Sequence, residues 1–162
     1  MTTERRSIRD DTSILAETEP PSNVSLAGVK VLLVDDEADS REMAIELLTD
    51  YGAQAIGASS AQEALAVIRT WRPDVLISDI GMPFEDGYDL IRKVRALDQH
   101  EGGGIPACAL TGWGAMREAE RALAAGFQVH ISKPVDSERL MATIYRLAKG
   151  SLPDSAVSGS AR

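Results

Sequence analysis

Short apolar segments alternate with amphipathic segments over most of the chain. The apolar segments predict five strands, at residues 29–34, 53–57, 74–79, 105–111 and 127–132. The segments between them carry apolar residues at helical spacing, as Met43, Ala44 and Leu47 do on one face of the first predicted helix. Strands that alternate with helices build a parallel sheet with helices on both faces. The pattern therefore predicts an α/β fold with a doubly wound, five-stranded parallel sheet and five helices.

The two ends of the chain lack this pattern. Residues 1–25 mix charged, Ser and Thr residues with a Pro pair, and residues 150–162 are mostly small. Such segments bury too little apolar surface to offset the conformational entropy of ordering them. We expect a flexible N-terminal arm at 1–25, one folded domain at 28–149 and a disordered C-terminal tail at 150–162. Within the domain, the glycines at 102–104 predict a loose connector.

The composition narrows the class of protein. Hydrophobic residues make up 44% and charged residues 26% of the chain, which is typical of a globular protein. The net charge of −8 argues against a nucleic acid partner, because phosphate backbones select basic surfaces. No apolar run is long enough to span a membrane, and the N-terminus lacks the apolar core of a secretion signal. We therefore expect a cytoplasmic protein in which the single cysteine, Cys108, is a small buried hydrophobe.

Polar side chains stand at the ends of four predicted strands. In chain order they are Asp35 and Asp36, Asp79, Thr111, and Lys133. The carboxyl ends of parallel strands lie at one edge of the sheet, so these groups would share a crevice. Carboxylates that lie close together repel one another, and Mg²⁺, which prefers oxygen ligands, relieves that repulsion. Carboxylates, a hydroxyl and an ammonium are the groups that phosphoryl transfer uses, although the first two acids could instead only cap the following helix.

These residues resemble those of a known family, the receiver domains of two-component response regulators. The resemblance rests on the joint order and spacing of Asp35-Asp36, Asp79, Met82-Pro83, Gly87, Thr111 and Lys133-Pro134. It covers about residues 28–149 and implies a flavodoxin-like sheet with strand order 2-1-3-4-5. Together with the segment from Leu26 to Lys30, the domain is also similar to the receiver end of a hybrid histidine kinase.

The resemblance implies a role for each acid of the crevice. Asp79 is the expected phosphoacceptor, which takes a phosphoryl group from a phosphohistidine on a histidine kinase or a histidine-phosphotransfer protein. Mg²⁺ is the expected cofactor. By the same resemblance, Asp36 binds it directly and Asp35 binds it through water, while Asp79 and the backbone carbonyl of Gly81 complete the protein ligands.

The resemblance also assigns two phosphoryl ligands, Lys133 and Thr111. Lys133 is expected to pair first with Asp79 and then with a phosphoryl oxygen, and the Thr111 hydroxyl to donate to the phosphoryl group. The peptide bond before Pro134 is expected to be cis. From the residues alone, Lys133 could be an exposed loop lysine, and Thr111 no more than a good β-strand residue.

His130 departs from the family pattern. Family members usually carry Tyr or Phe at this switch position, three residues before the lysine, and that ring swings inward on activation. Histidine is polar and titrates near neutral pH, so His130 is either a pH-sensitive switch or an ordinary imidazole at a strand end. Gly81 and Trp113 also depart from the pattern, at positions that flank the path of the hydrolytic water.

The expected function is that of a phosphoacceptor which signals by contact with a downstream protein, since no patterned segment follows Lys149. Such a domain phosphorylates and dephosphorylates itself and turns over no separate substrate. Two alternatives stay open. One is a phosphohydrolase of the haloacid-dehalogenase type, whose two Asp residues usually have one residue between them, unlike Asp35-Asp36. The other is a receiver-like binding module that is never phosphorylated.

Overall fold

The computed structural model describes residues 24–112 and 116–150. Strands β1 to β5 span Lys30–Val34, Gln54–Ala58, Val75–Asp79, Ala107–Thr111 and Val129–Ser132. Helices α1 to α5 span Ala38–Asp50, Ala61–Trp71, Gly87–Arg95, Met116–Ala125 and Ser137–Lys149, and a short 3₁₀ helix spans Gln99–Glu101. Within the described ranges, no helix has the length and apolar character needed to cross a bilayer. Apart from residues 24, 25 and 150, the predicted arm and tail lie outside the described residues.

The five strands form one parallel sheet in the order β2-β1-β3-β4-β5. With the five α-helices of the described residues, this order confirms the predicted flavodoxin-like fold. The order places β1 beside β3, where Val34 is paired with Ser78. The two strands that lead into carboxylates are therefore direct neighbours in the sheet.

Two apolar layers hold the helices on the sheet. Leu32 and Leu76 face the layer shared with α2, α3 and α4, whereas Leu33 and Ile77 face the layer shared with α1 and α5. Successive side chains of a strand point to opposite faces, so a strand covered on both faces is apolar throughout. This explains why β1 and β3 are recognisable in the sequence as continuous apolar runs.

The layer shared with α1 and α5 also contains Leu26 and Cys108. Leu26 is fully buried, and its N–H donates to the carbonyl of Tyr51 at 2.7 Å. Val24 packs on the same layer, so the packed region begins ahead of residue 28. Cys108 is fully buried, and burial raises the pKa of its thiol to about 12. The thiol is therefore neutral and packs as a small apolar group.

Helix α1 turns the predicted face inward except at Met43, since Ala44 and Leu47 pack partly against the core. Met43 is 69% exposed, whereas Leu48 is fully buried and Ile45 packs partly against the core. Ile45 is covered because β2 extends the sheet beneath it, where Gly57 leaves room for its side chain. The apolar residues form a wide arc from Met43 to Ile45, so their spacing did not define the edges of the buried face. The prediction that Met43 lies on the buried face was wrong.

Arg95, at the end of α3, joins the connections that lead into β4 and β5. Its guanidinium donates to the Gly126 carbonyl at 2.8 and 3.0 Å, to the Gly103 carbonyl at 2.8 Å and to Gln128 Oε1 at 3.1 Å. The same Gln128 oxygen accepts from the Ala107 N–H at 2.8 Å. All these acceptors are neutral, and partial burial lowers the pKa of Arg95. Arg95 therefore acts as a structural tie between α3 and the starts of two strands.

We expect Arg95→Met to lower the free energy of unfolding by about 2–4 kcal/mol, because it removes donors from partly buried carbonyl groups. Arg95→Lys keeps the charge but not the fork of donors, and should recover only part of the loss. Urea unfolding followed by circular dichroism measures both changes. Arg92→Met is the matched control, since this exposed arginine only pairs with Asp89 at 3.5 Å, and its loss should stay under about 0.5 kcal/mol. Equal losses at the two positions would contradict the role of Arg95.

Candidate functional site

The predicted polar residues lie along one edge of the sheet. The pairing of β1 with β3 places Asp35 and Asp36, which follow β1, beside Asp79 at the end of β3. Thr111 ends β4, and Lys133 directly follows β5. Because all five strands run in the same direction, these residues meet at the carboxyl edge. The structure therefore brings together the residues that the sequence placed at strand ends.

The three acids form a tight cluster. One carboxylate oxygen from each of Asp35, Asp36 and Asp79 lies within 4.8 Å of the others. Asp35 and Asp79 are each 8% exposed, whereas Asp36 is exposed. Oxygen ligands of an octahedral Mg²⁺ ion lie about 2.9 Å apart when adjacent and about 4.1 Å apart when opposite. The spacing of the three hard oxygen donors is thus near that of the ligands of a single such ion.

Electrostatic strain within the cluster is visible at Asp35. Burial raises the pKa of Asp35, and the carboxylates of Asp79 and Asp36 raise it further. The N–H of Glu37, which donates to Asp35 Oδ1 at 2.9 Å, and the ammonium of Lys133 lower it. The acids therefore oppose one another's ionisation, which is the situation that a bound cation relieves.

Asp79 is contacted on both of its carboxylate oxygens. Lys133 Nζ lies 3.1 Å from Asp79 Oδ2, and the Gly81 N–H donates to Asp79 Oδ1 at 3.2 Å. The Lys133 N–H donates to the Thr111 carbonyl at 2.8 Å, which joins the loop after β5 to the end of β4. The peptide bond between Lys133 and Pro134 is cis. The carboxylate of Asp79 thus lies between other acids and an ammonium.

The Thr111 hydroxyl has only a weak partner. Thr111 is fully buried, and its Oγ1 donates to the carbonyl of Ile131 at 3.5 Å. That distance is long for an O–H···O hydrogen bond, which is usually below 3.0 Å. This hydrogen bond therefore holds the hydroxyl only weakly.

The positions predicted to flank the path of the hydrolytic water are open where they are described. A Cβ added to Gly81 would meet no atom within 4 Å. Gly81 is exposed, so the space beside Asp79 opens to solvent there. Trp113, the other predicted flanking residue, lies outside the described residues.

His130 lies in β5, paired with Ala109, and its ring is half-buried. Its Nδ1 is buried and has no hydrogen-bond partner among the described residues. A buried polar atom without a partner is unfavourable. No hydrogen bond from Nδ1 to a described residue therefore holds the imidazole in this half-buried position.

Sequence patterns did not reveal two neighbours of the cluster. Arg41, in the first turns of α1, donates from Nη1 to the Asp35 carbonyl at 2.8 Å. A cavity of about 400 Å³ opens beside Asp35 and is lined by Met43, Leu47, Lys133, Pro134, Val135 and Leu140. Neither could be inferred, because spacing on one helix does not show which loop lies opposite it. The apolar residues among positions 43–48, which Glu46 interrupts, were the signal for the cavity, but their spacing did not distinguish inner from outer positions.

The comparisons with known proteins agree with this site. Residues 31–145 match the family described as response regulator receiver domain. An uncharacterized 14.6 kDa protein of Leptolyngbya boryana is 36% identical over 130 residues, which cover 80% of this chain and 98% of that protein. Hybrid signal transduction histidine kinase D of Dictyostelium discoideum is 34% identical over 128 residues, which cover 75% of this chain but only 8% of the kinase.

A solved structure of another receiver-type protein also resembles this chain. Chemotaxis protein CheY4 of Vibrio cholerae is 33% identical, with a TM-score of 0.68 over 75% of this chain and 99% of that chain. The family match, the fold and the strand-end residues thus point to one class of protein. The chain belongs to the response regulator receiver domain family, the phosphoacceptor domains of two-component signal transduction.

Proposed function

We propose that Asp79 is the phosphoacceptor of this receiver domain, supported by Mg²⁺, Lys133 and Thr111. The observation that carries the proposal is the 3.1 Å contact of Lys133 Nζ with Asp79 Oδ2 beside the cluster of three carboxylates. A nucleophilic carboxylate needs charge neutralisation on both sides when a phosphoryl group adds to it. Metal-binding acids on one side and an ammonium on the other meet that need.

The transfer forms an acyl phosphate. A carboxylate oxygen of Asp79 attacks the phosphorus of a phosphohistidine, so that an O–P bond forms and the N–P bond breaks. The electron pair of the broken bond stays on the imidazole nitrogen of the donor, which takes up a proton. A carboxylate is already ionised at pH 7 and needs no general base, unlike a serine hydroxyl.

The remaining residues bind the metal and the transferred group. Asp36 and Asp79 would hold Mg²⁺ directly, with Asp35 acting through water and the Gly81 carbonyl as a further ligand. When bound, the ion neutralises charge on the phosphoryl oxygens. Lys133 shifts from Asp79 to one phosphoryl oxygen, and the Thr111 hydroxyl donates to another. The phosphoryl group later leaves by hydrolysis, so no separate substrate is turned over.

The cavity beside the cluster supports docking of the phosphodonor. Receiver domains interact with histidine kinases and downstream targets. Here an exposed apolar side chain, Met43, stands at the mouth of a cavity that continues past Leu47 to Pro134 and Lys133. Apolar surface beside a reacting group favours a partner that presents its histidine from an amphipathic helix. We place a cytoplasmic histidine kinase or histidine-phosphotransfer protein there, with output through a second protein rather than a nucleic acid.

Incubation with Mg²⁺ and acetyl phosphate should add one phosphoryl group to the wild-type chain, detected by intact mass. Asp79→Asn should abolish the addition, because an amide is not a nucleophile of comparable strength. Asp74→Asn is the matched control, since Asp74 precedes the same strand at the opposite edge and should leave the labelling intact. Labelling that survives in Asp79→Asn would reject the assignment of Asp79.

Removal of the metal tests the acidic cluster separately. Excess EDTA should reduce labelling of the wild-type chain strongly, because no cation then offsets the repulsion between the phosphoryl oxygens and the carboxylates of Asp35 and Asp36. Restored Mg²⁺ should restore labelling in the same sample. Equal labelling with and without EDTA would reject the metal role of Asp35 and Asp36.

Met43→Glu should slow transfer from a phosphohistidine-bearing partner by about tenfold or more, because it puts a charge into an apolar contact. Labelling by acetyl phosphate should change by less than about twofold, since this small donor needs no docking surface. Stopped-flow or quenched transfer from a phosphotransfer protein that labels the wild type measures the first rate. Leu123→Glu, at another exposed apolar position, controls for the added carboxylate. Equal slowing with both donors would place the effect at Asp79 and not at the docking surface.

His130 makes folding sensitive to pH. Burial lowers the pKa of the His130 imidazole, and the positive charge of Arg139 lowers it further. The unfolded chain therefore takes up the proton at a higher pH than the folded chain does. As pH falls through the unfolded pKa of about 6.5, the contribution of neutral His130 to stability is progressively lost.

His130→Gln should reduce the loss of unfolding free energy between about pH 7.5 and pH 5.5, because the glutamine cannot take up the proton. Urea unfolding at the two pH values gives the difference for each variant. His100→Gln, at an exposed position, controls for removal of an imidazole. The same pH dependence in His130→Gln and wild type would contradict this account of His130.

A further inference from the structure

Arg41 donates to a backbone carbonyl beside the acidic cluster. Its Nη1 lies 2.8 Å from the Asp35 carbonyl oxygen, in a partly buried position. Its own N–H donates to the Glu37 carbonyl, which fixes the residue in the first turn of α1. Arg41 forms no ion pair with any carboxylate of the described residues. Its guanidinium therefore binds a peptide carbonyl and forms no close pair with the acids of the cluster.

The carboxylate of Asp36 has no contact of its own that would orient it. Within the described residues, no hydrogen bond or ion pair is made by this exposed side chain. By contrast, Asp35 is fixed at its N–H, which donates to the Ala58 carbonyl at 3.0 Å, and at Oδ1, which accepts from the Glu37 N–H. A free carboxylate beside two others is pushed outward by like charge. The direction of Asp36 must therefore be set by its backbone.

The Asp35–Asp36 peptide group is the part of that backbone that Arg41 holds. Its carbonyl is the acceptor of the Arg41 bond, and a peptide group is planar. Fixing the carbonyl therefore fixes the plane through the Asp36 nitrogen and Cα. This restricts the direction in which the Asp36 side chain leaves the chain.

Strand β2, beneath Arg41, leaves room for the Arg41 side chain at Gly57. A Cβ at Gly57 in β2 would lie 2.9 Å from both Cγ and Cδ of Arg41, and 2.7 Å from Cδ1 of Ile45. Gly57 is not among the glycines with positive φ, so its backbone does not require glycine. The missing side chain leaves space, which Ile45 Cδ1 and the stem of Arg41 fill together.

We propose that Arg41 is a positioning residue for the divalent cation, which holds the Asp35–Asp36 peptide so that Asp36 points toward Asp79. This inference rests on the proposed function, because it concerns the same metal site. This positioning role and a purely electrostatic role predict opposite changes in metal affinity when Arg41 is removed. A guanidinium near the cluster repels a divalent cation, so its removal alone would tighten metal binding. Loss of positioning instead weakens binding.

Binding of Mn²⁺ to the purified full chain, followed by the electron paramagnetic resonance signal of the free ion, tests the proposal. Arg41→Gln should raise the Kd by about tenfold, the size expected for loss of a group that orients a metal ligand. At saturating Mg²⁺, labelling by acetyl phosphate should return to within about twofold of the wild-type rate, since the reacting groups are unchanged. Arg69→Gln removes the same charge from the far end of α2 and should leave the Kd unchanged.

Gly57→Ala supplies a second test that keeps every functional group. The added methyl displaces the stem of Arg41 together with the end of the Ile45 side chain, and the Kd for Mn²⁺ should rise in the same direction as in Arg41→Gln. It also keeps the proposal testable where Arg41→Gln fails to fold. Unchanged or tighter Mn²⁺ binding in folded Arg41→Gln and Gly57→Ala would overturn the positioning role. A wild-type chain that neither binds Mn²⁺ nor accepts a phosphoryl group would instead overturn the proposed function itself.

Discussion

Mutual repulsion among three carboxylates is the constraint on which the site depends. Asp35, Asp36 and Asp79 each place an oxygen within 4.8 Å of the others, and two of them are almost fully buried. Like charges so close together move apart unless stronger interactions elsewhere in the fold hold them in place. Here the parallel pairing of β1 with β3 does so, and apolar layers on both faces of the sheet stabilise that pairing. The core therefore maintains a cluster that a cation can bind.

Two arginines secure this arrangement at opposite edges of the sheet. Arg95 binds carbonyl groups in the connections that lead into β4 and β5, at the amino edge. Arg41 binds the carbonyl of Asp35, at the carboxyl edge. In both places the guanidinium meets neutral acceptors and not carboxylates: backbone carbonyls at both arginines, and also the Gln128 side-chain amide at Arg95. Exposed ion pairs contribute little to stability, so these carbonyl contacts are the more consequential use of positive charge in an acidic chain.

The sequence predicted the sheet and the meeting of the strand-end residues for a physical reason. Buried parallel strands are continuous apolar runs, and a residue that follows such a run is delivered to the carboxyl edge whatever the intervening helix contains. Asp79 and Lys133 could therefore be placed together without knowledge of any contact between them. The strand order itself came from the family resemblance, since alternation alone does not determine it.

Features that depend on a distant neighbour could not be predicted. The outward position of Met43 depends on how far β2 extends under the other flank of α1, where Ile45 is covered. The glycines at 102–104 looked like a loose connector, yet Gly103 is buried and a Cβ there would lie 2.1 Å from the Leu97 carbonyl oxygen. That close packing is set by a residue of the preceding segment, whose approach no local pattern shows. The contact of Arg41 could not be predicted for the same reason, because its partner is a backbone carbonyl, a group that every residue has.

The ion pair between Lys133 and Asp79 is partly open to solvent, which suits a lysine that changes partners. The lysine side chain is 41% exposed and the aspartate side chain 11% exposed. Breaking a fully buried pair leaves an uncompensated charge and costs about 3–5 kcal/mol, whereas exposed pairs contribute about 0–1 kcal/mol. Under the proposed function, the half-exposed ammonium passes from the carboxylate to a phosphoryl oxygen that Asp79 then carries, so the nearly buried group is not left without a positive partner. A more deeply buried lysine would hold Asp79 more firmly and oppose the transfer that this arrangement supports.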